Sequence, residues 1–419
     1  MHSAPPLRPD RSGPDNSVFD SPYAWWRLAV SLVIATAGNA GMWAIVVVMP
    51  AVQAEFGVDR ADASLPYVAT MLGFALGNLL IGRAVDRVGI TPALIGAALL
   101  IGMSTAAAAA SPSVGVLTAV QFAIGLGTAA GFAPLIADIS LWFVRRRGIA
   151  VAIAASGNYL AGVFWPVVLR GVLEEDGWRA AYLVLAVASV LVVVPLALLL
   201  RRKLPVDALS GASGGGPAGA VADAGMSPRA LAWLIALAGV ACCVAMAMPQ
   251  VHIVALCVDL GFGPAVGAEM LALMLLAGVV SRLAFGMLAD RLGGVRTVLI
   301  GSGLQALALF LYLPANGLVS LYVVSLIFGL AQGGIVPGYA IIVREFMPAR
   351  EAGARVGFVM MATILGMGLG GWLSGAIFDA TGSYQLAFLN GIAWNGLNIA
   401  ILVFLLWRGR RATGGAALA

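Results

Sequence analysis

The sequence predicts an all-α integral membrane protein: twelve transmembrane helices in two pseudo-symmetric six-helix bundles. Three observations carry this. The 419 residues are 61% hydrophobic and only 10% charged, with a mean hydropathy of +0.99, whereas soluble chains are about half apolar and a quarter charged. Twelve apolar runs are each long enough to cross a bilayer. Landmarks in the first six runs recur in the last six. So few charges could not cover the surface of a soluble body of this length. A cytosolic enzyme and a nucleic-acid binder are thereby excluded, as is a division into several soluble domains.

Residues 1–26 are rich in Pro, Ser and Asp and have no apolar core segment, so they are expected to form a disordered tail. The first apolar run is too long for a signal peptide and lacks a cleavage site, so it stays as a helix. A spanning helix needs about 20 mostly apolar residues. Runs of that kind occupy roughly 28–50, 63–81, 90–110, 114–138, 149–170 and 180–200, then 230–256, 266–288, 295–313, 318–342, 354–378 and 385–407. We call them spans one to twelve. They are continuous and do not alternate, which excludes β-barrel strands. Residues 201–228 open with Arg201-Arg202-Lys203 and pass through Ser210-Gly211-Ala212-Ser213-Gly214-Gly215-Gly216, the composition of a flexible linker. The expected organisation is a tail (1–26), a first bundle (27–200), a linker (201–228), a second bundle (229–407) and a short tail (408–419). Gly73 and Gly77 in span two, and Gly366 to Gly371 with Gly375 in span eleven, allow close helix contact. Pro134, Pro166, Pro249 and Pro337 are expected to bend or interrupt their helices.

Charge placement sets the topology. Of the 24 basic residues, twenty fall in the tails, the linker and every second loop. Only Arg60, Arg170 and Arg179 lie in the other set of loops, and Arg282 lies inside span eight. This bias predicts cytoplasmic termini and a multi-pass protein of the inner (plasma) membrane. The net charge of +5 is then a topology signal and not a nucleic-acid surface. Cys242, Cys243 and Cys257 share one apolar stretch, without the spacing of a disulfide framework or a metal site.

The two halves read as copies. Gly82-Arg83-Ala84-Val85-Asp86-Arg87-Val88-Gly89 follows span two, and Gly286-Met287-Leu288-Ala289-Asp290-Arg291-Leu292-Gly293 follows span eight, 204 residues later. Gly125-Leu126-Gly127 in span four returns at the same offset as Gly329-Leu330-Ala331 in span ten. Gly177-Trp178-Arg179 before span six is matched by Gly382-Ser383-Tyr384 before span twelve. Each copy holds an even number of spans, so the repeats are parallel. Such repeats place a substrate site at their interface near the membrane midplane.

The repeated G-x-x-x-D-R-x-G motif resembles the signature of the major facilitator superfamily, over about residues 27–407. Trp142-Phe143, Arg145-Arg146-Arg147-Gly148-Ile149-Ala150 and Ala155-Ser156-Gly157 resemble the monocarboxylate transporter and oxalate/formate antiporter branch. So does Ser281-Arg282-Leu283-Ala284-Phe285-Gly286. The resemblance implies the major facilitator fold. It also implies that Gly82, Asp86, Arg87, Gly89, Gly286, Asp290, Arg291 and Gly293 form a conformational latch that holds the outward-open state. Gly82 and Gly286 would allow close approach, and Gly89 and Gly293 tight turns. Ile90-Thr91-Pro92 replaces the basic residue that often follows the motif, which departs from a full charge relay.

Arg282 is the sharpest candidate. A charge inside a span is costly unless it is paired or faces water, and an Arg fork matches a carboxylate. The resemblance gives the matching Arg the substrate carboxylate. Gly278, one turn earlier, leaves room beside it in a position where members of the branch usually carry an Asp. An Arg that snorkels or pairs structurally is the competing reading. Span eleven holds no Lys or Arg between Val356 and Phe378, so one membrane cation favours a monoanion. Asn39, Gln121, Asn158, Tyr159 and Tyr339 are further candidates for substrate contact. His252, Asp138 and Glu269 are candidates for proton coupling, against readings as a helix-end histidine, a packing acid and an interfacial charge. The expected activity is secondary active transport of a small organic anion, a monocarboxylate moved with a proton by alternating access. The expected partners are that anion, protons and the bilayer. No cofactor, metal, nucleic acid or catalytic residue is expected, and the protein is expected to be a monomer. Proton-driven efflux of drugs or hydrophobic metabolites, or a non-transporting membrane sensor, are the alternatives.

Overall fold

The computed structural model of the chain describes residues 19–202, 226–347 and 349–416. Of the tail expected over 1–26, residues 1–18 lie outside the described residues, as do 203–225 of the linker expected over 201–228 and the last three residues; Pro22 to Trp26 and Pro228 already belong to helices. Elsewhere the chain is helical almost throughout, and no strand occurs among the described residues. Twelve helical passages are long and apolar enough to cross a membrane.

Span one begins at Pro22, where the Ser21 hydroxyl accepts from Ala24 N–H and the fixed φ of Pro22 suits a first helical position. It runs Pro22–Gly38, is interrupted at Asn39, and continues Ala40–Phe56. Spans two to six are Arg60–Val88, Ile90–Ala109, Val114–Trp142, Arg147–Val168 and Gly177–Leu199, with a one-turn helix at Arg170–Glu175. Span seven starts as span one does, at Ser227 and Pro228, and runs Pro228–Asp259. Spans eight to twelve are Pro264–Leu292, Gly294–Tyr312, Leu318–Phe346, Ala349–Thr381 and Gln385–Ala416. The last helix therefore extends well beyond the end expected near residue 407.

The repeat is visible in the irregularities as much as in the helices. Span four breaks between Thr128 and Ala133, and span ten between Gln332 and Ile335. Gly89 and Gly293 have φ of +88° and +79°, so each motif ends in a left-handed turn that favours glycine. Gly177 and Gly382 share the same property before spans six and twelve. Packing is copied too. A Cβ on Gly125 would lie 2.0 Å from the Thr70 carbonyl oxygen, and one on Gly329 would lie 2.2 Å from that of Met274. Span two meets span four, and span eight meets span ten, with no room for a methyl group.

Spans one and seven are the most buried. Across the halves, span two packs on span eleven and span five on span eight. These seams lie on small residues: a Cβ on Gly371 would touch the Tyr67 ring at 3.0 Å, and one on Gly368 would meet Met71 at 3.4 Å. Cys242, Cys243 and Cys257 are buried free thiols. Gly125→Val should be strongly destabilising, because the obstruction is backbone. A cost of about 3 kcal/mol corresponds to a fall in Tm of about 3–4 °C for a chain of 419 residues. Gly96→Val, where the new Cβ meets nothing within 4 Å, should leave Tm unchanged.

Candidate functional site

The contacts between the halves define two levels. On the face away from the tails, Arg60 of span two reaches into the second half. Its guanidinium donates both Nη atoms to the Asp259 carboxylate at 3.0 Å and Nη1 also to the Tyr384 hydroxyl at 2.6 Å. The Asp379 carboxylate accepts from Arg60 N–H at 2.9 Å and Ala61 N–H at 2.7 Å, so an acid of the second half caps the first turn of span two. Beside this cluster, Arg170 donates to Glu269 at 2.9 Å across the other seam, and the Tyr322 hydroxyl donates to the second Glu269 oxygen at 2.7 Å. Hydrogen bonds to Glu174 first, and the charge of Glu269 after it, push the Arg170 pKa up. This pair is half exposed, so its contribution is small.

At mid-depth lies Arg282, buried at 8% exposure. It stands on a stripe of span eight with Leu275 and Gly278 that lies along span five. Arg282 Nη1 donates to the Ala155 carbonyl at 2.6 Å and Nε to the Gly333 carbonyl at 3.2 Å. Its guanidinium lies 4.4 Å from the centre of the Tyr159 ring. The chain itself explains one acceptor. Pro337 has no N–H, so the Gly333 carbonyl four residues back loses its helical donor at the break in span ten. Arg282 supplies the missing donor. No Asp or Glu pairs with Arg282 among the described residues. A buried cation facing two carbonyls and an aromatic ring is set up to hold an anion.

Several expected residues are placed differently. The space beside Gly278 is not open: a Cβ there would come 2.8 Å from the Tyr159 ring, and Gly333 presses on its other side. Tyr159 therefore belongs to the Arg282 cluster. Gln121 donates to the Tyr182 hydroxyl at 2.6 Å and accepts from Thr70, inside the first bundle. Tyr339 donates to Asn398 at 2.6 Å and to the Ala238 carbonyl, inside the second. The polar atoms of both are committed there, away from Arg282. Asn158 and Asn39 form a chain within the first bundle. The Trp43 indole N–H donates to the Asn158 carbonyl oxygens of main and side chain, and Asn158 Nδ2 lies 3.4 Å from Asn39 Oδ1. Asn39 Nδ2 donates to the Ala35 carbonyl at 2.7 Å, close to the break in span one.

The proton-coupling candidates also separate. Asp138 makes a two-pronged pair with the buried Arg27 at 2.7 and 2.8 Å. Arg27 further donates to the carbonyls of Leu200 and Arg202 and lies over the Trp142 ring, so this cluster closes the first bundle on its tail side. Nearby, the Asp20 carboxylate accepts from the N–H groups of Val144, Arg145 and Arg146. Partial burial raises its pKa, but these three donors outweigh it and hold the carboxyl below its ordinary value. Glu269 is the half-exposed acid of the Arg170 pair. His252 is fully buried, with Nδ1 3.0 Å from the Tyr384 hydroxyl and Nε2 2.7 Å from the Gly371 carbonyl. It therefore adjoins the Arg60 cluster.

The charged motif residues are disengaged. Asp86, Arg87, Asp290 and Arg291 are exposed and make no hydrogen bond or ion pair among the described residues. A Cβ on Gly82 or Gly286 would meet nothing within 4 Å, so the close approach expected there is absent in this state.

Two groupings were not anticipated: the Arg60 cluster with Asp259, Asp379 and Tyr384, and the paired glutamines Gln250 and Gln332. Gln250 Nε2 donates to Gln332 Oε1. The sequence held a signal for the glutamines, since each is a polar residue within a span and Gln332 directly precedes the Gly333-Gly334 break. Arg60 had served only as a topology marker.

The chain matches the family model described as Major Facilitator Superfamily over residues 31–281 and again over 234–418. It is 28% identical to monocarboxylate transporter 13 of Bos taurus over 335 residues, covering 78% of this chain and 75% of that protein. It is 32% identical to monocarboxylate transporter 11 of Mus musculus over 286 residues, covering 64% and 62%. It is also 26% identical to the fujikurins efflux protein of Gibberella fujikuroi, covering 71% and 63%. Among solved structures it is similar to a bacterial homologue of the human lysosomal transporter Spinster, inward-facing and occupied. That match has a TM-score of 0.65 and 16% identity, and covers 93% of this chain and 96% of the other.

The Arg27–Asp138 pair is predicted to be structural. Asp138→Asn strands a buried cation and should cost about 3–5 kcal/mol, read as a lower Tm. Replacing both partners, Arg27→Met with Asp138→Leu, should recover most of that loss. If the double variant then transported substrate without any response to a pH gradient, Asp138 would be a proton carrier after all.

Proposed function

The chain belongs to the major facilitator superfamily and is a multi-pass membrane transporter of a small molecule, and on that premise we propose that it moves a small organic anion, a monocarboxylate together with a proton, by alternating access. The observation that carries this is Arg282: a buried cation where spans five, eight and ten meet, held by two carbonyls and the Tyr159 ring, with no carboxylate paired to it among the described residues. One cation at mid-depth matches one negative charge. Similarity to monocarboxylate transporters supports the same reading.

The seams suggest how access alternates. On the face away from the tails the halves are joined through Arg60 and Arg170. Spans two and eleven run antiparallel, with Met71 against Gly368. Extending that register toward the tail face sets Gly82 opposite Gly357 and Asp86 opposite Gly353, and a Cβ on Gly82, Gly353 or Gly357 now meets nothing. Spans five and eight have Tyr159 against Gly278 and Ala155 against Arg282. The same extension sets Gly286 opposite Val151 and Asp290 opposite Arg147. In this reading the motif acids engage those partners when the Arg60 face opens and the tail face closes.

His252 is the group we assign to the proton. The Gly371 carbonyl can only accept, so Nε2 carries a hydrogen in the neutral ring and Nδ1 accepts from the Tyr384 hydroxyl. A second proton on Nδ1 removes that acceptor and loosens Tyr384, which also bonds Arg60. Proton uptake and the closed face are thereby linked. By the distribution of basic residues the tail face is cytoplasmic, in the inner (plasma) membrane, and the protein works as a monomer. The likeness to the fujikurins efflux protein favours a second reading, export of a drug or hydrophobic metabolite.

Uptake into proteoliposomes tests this. Arg282→Ala should lower carboxylate uptake by at least about 100-fold, the loss expected for a buried charge-assisted contact of about 3 kcal/mol, and Arg282→Lys should restore little of it. Normal carboxylate uptake by Arg282→Ala would overturn the assignment, and uptake of large apolar compounds without need of Arg282 would favour export. His252→Gln should retain exchange and lose the response to an imposed pH gradient. Cysteines at Gly82 and Gly357 should crosslink in the state whose Arg60 face is open, and absence of that crosslink in any condition counts against the register.

A further inference from the structure

We propose that Arg60 is an entry site for a carboxylate on the face away from the tails, and that the incoming anion opens this face by taking the place of Asp259. The proposal deepens the reading of the substrate as a small carboxylate and rests on it. In the closed face the site is filled by the protein's own acids. Asp259 accepts from both Nη atoms of Arg60 at 3.0 Å. Asp379 accepts from the N–H groups of Arg60 and Ala61 at 2.9 and 2.7 Å. Both acids belong to the second half, and Arg60 to the first. Two carboxylates thus already sit on one corner of the first half, one on the guanidinium and one on the start of span two.

What remains when the halves part singles Arg60 out. Arg179 keeps Glu55 of its own half at 2.6 Å, and Arg170 keeps Glu174 at 3.0 Å. Arg60 loses Asp259, its ion-pair partner, and the Tyr384 hydroxyl with it. Asp59 and Asp62 are exposed and form no ion pair with it among the described residues. Arg60 keeps Gln53 of span one, whose Oε1 accepts from Nε at 2.7 Å. The first half alone therefore holds the guanidinium by its Nε and leaves both Nη atoms turned toward the place of Asp259. A carboxylate from outside can accept from them in the same two-pronged way. The freed N–H groups of Arg60 and Ala61 favour negative charge at the same corner. Such an anion competes with Asp259 and binds only when the face is open. A ligand that binds one of two states shifts the population toward it.

The test reads opening directly, as the rate at which an uncharged hydrophilic maleimide labels Ser64→Cys in detergent, above the rate of the same protein without the added thiol. Ser64 is fully buried, one turn beyond Arg60 on span two. All proteins carry Arg282→Ala, so that the mid-depth cation does not contribute. Propanoate should raise the rate with saturation, and propanamide, or chloride at the same ionic strength, should not. Asp259→Asn removes the competing acid and keeps the cation. It should still respond, with the midpoint lowered at least about fivefold, the factor an ion pair near the surface carries. Arg60→Gln should label fast without propanoate and show no response to it. A response kept in Arg60→Gln, an equal response to chloride, or an unchanged midpoint in Asp259→Asn would overturn the proposal. So would faster labelling in both variants with no propanoate response in any protein, the result expected of a purely structural fastening. Each of these leaves Arg282 as the mid-depth site, whereas carboxylate uptake that does not need Arg282 overturns that reading and not the outer site.

Discussion

A bilayer supplies no water to a backbone carbonyl, and most of this molecule can be understood from that constraint. It forces the chain into helices, and it makes each interruption of a helix a place where a side chain must finish the hydrogen bonding. The interruption of span ten is the consequential one. Pro337 withdraws the donor that Gly333 would have had, and the Nε of Arg282 takes the vacated carbonyl. Span one shows a milder form of the same device, with Asn39 at the interruption bonded back to Ala35. A charge inside the membrane and a defect in a helix are each unfavourable alone. Together they offset one another, and what remains is a guanidinium fixed in position with binding capacity left over.

The second constraint is contact between the halves. The seams are lined with glycine where they are closed, and the same helices carry further glycines where they are open. The fastening on the closed face is of two kinds. Asp379 accepts from main-chain N–H groups of span two, which every residue type but proline would supply, while Arg60 and Arg170 act through their side chains. Only the latter pairs depend on the side chains of both partners, whereas the former depends on Asp379 alone.

Much of the fold was legible because hydropathy and repetition are one-dimensional signals. The span count, the two halves and the turns at Gly89 and Gly293 follow from residues counted along the chain. Arg282 was legible for a related reason, as a lone cation in an apolar run. What it touches was not, because that depends on which helices meet. Gly278 shows the difference: in the sequence it is an empty place, and in the structure the ring of Tyr159 occupies it from another helix. Gln121 and Tyr339 are as polar and as central as any residue in the chain, yet each faces inward to its own bundle. Position within a span says how deep a group lies and nothing about the direction it faces. The Arg60 cluster was missed for a different reason, since its partners lie 199 to 324 residues from Arg60 and at loop ends, where charges are ordinary.

Arg27 ties the start of the first helix to the carbonyls of Leu200 and Arg202, at the end of the sixth. The first bundle is thereby a closed ring whose two ends are fastened to each other and not to its neighbour. The fastening of these two ends uses residues of the first bundle alone. A unit whose ends are fastened within itself can be repeated along a chain with only a connecting segment added, and residues 203–225 are that segment in the sequence.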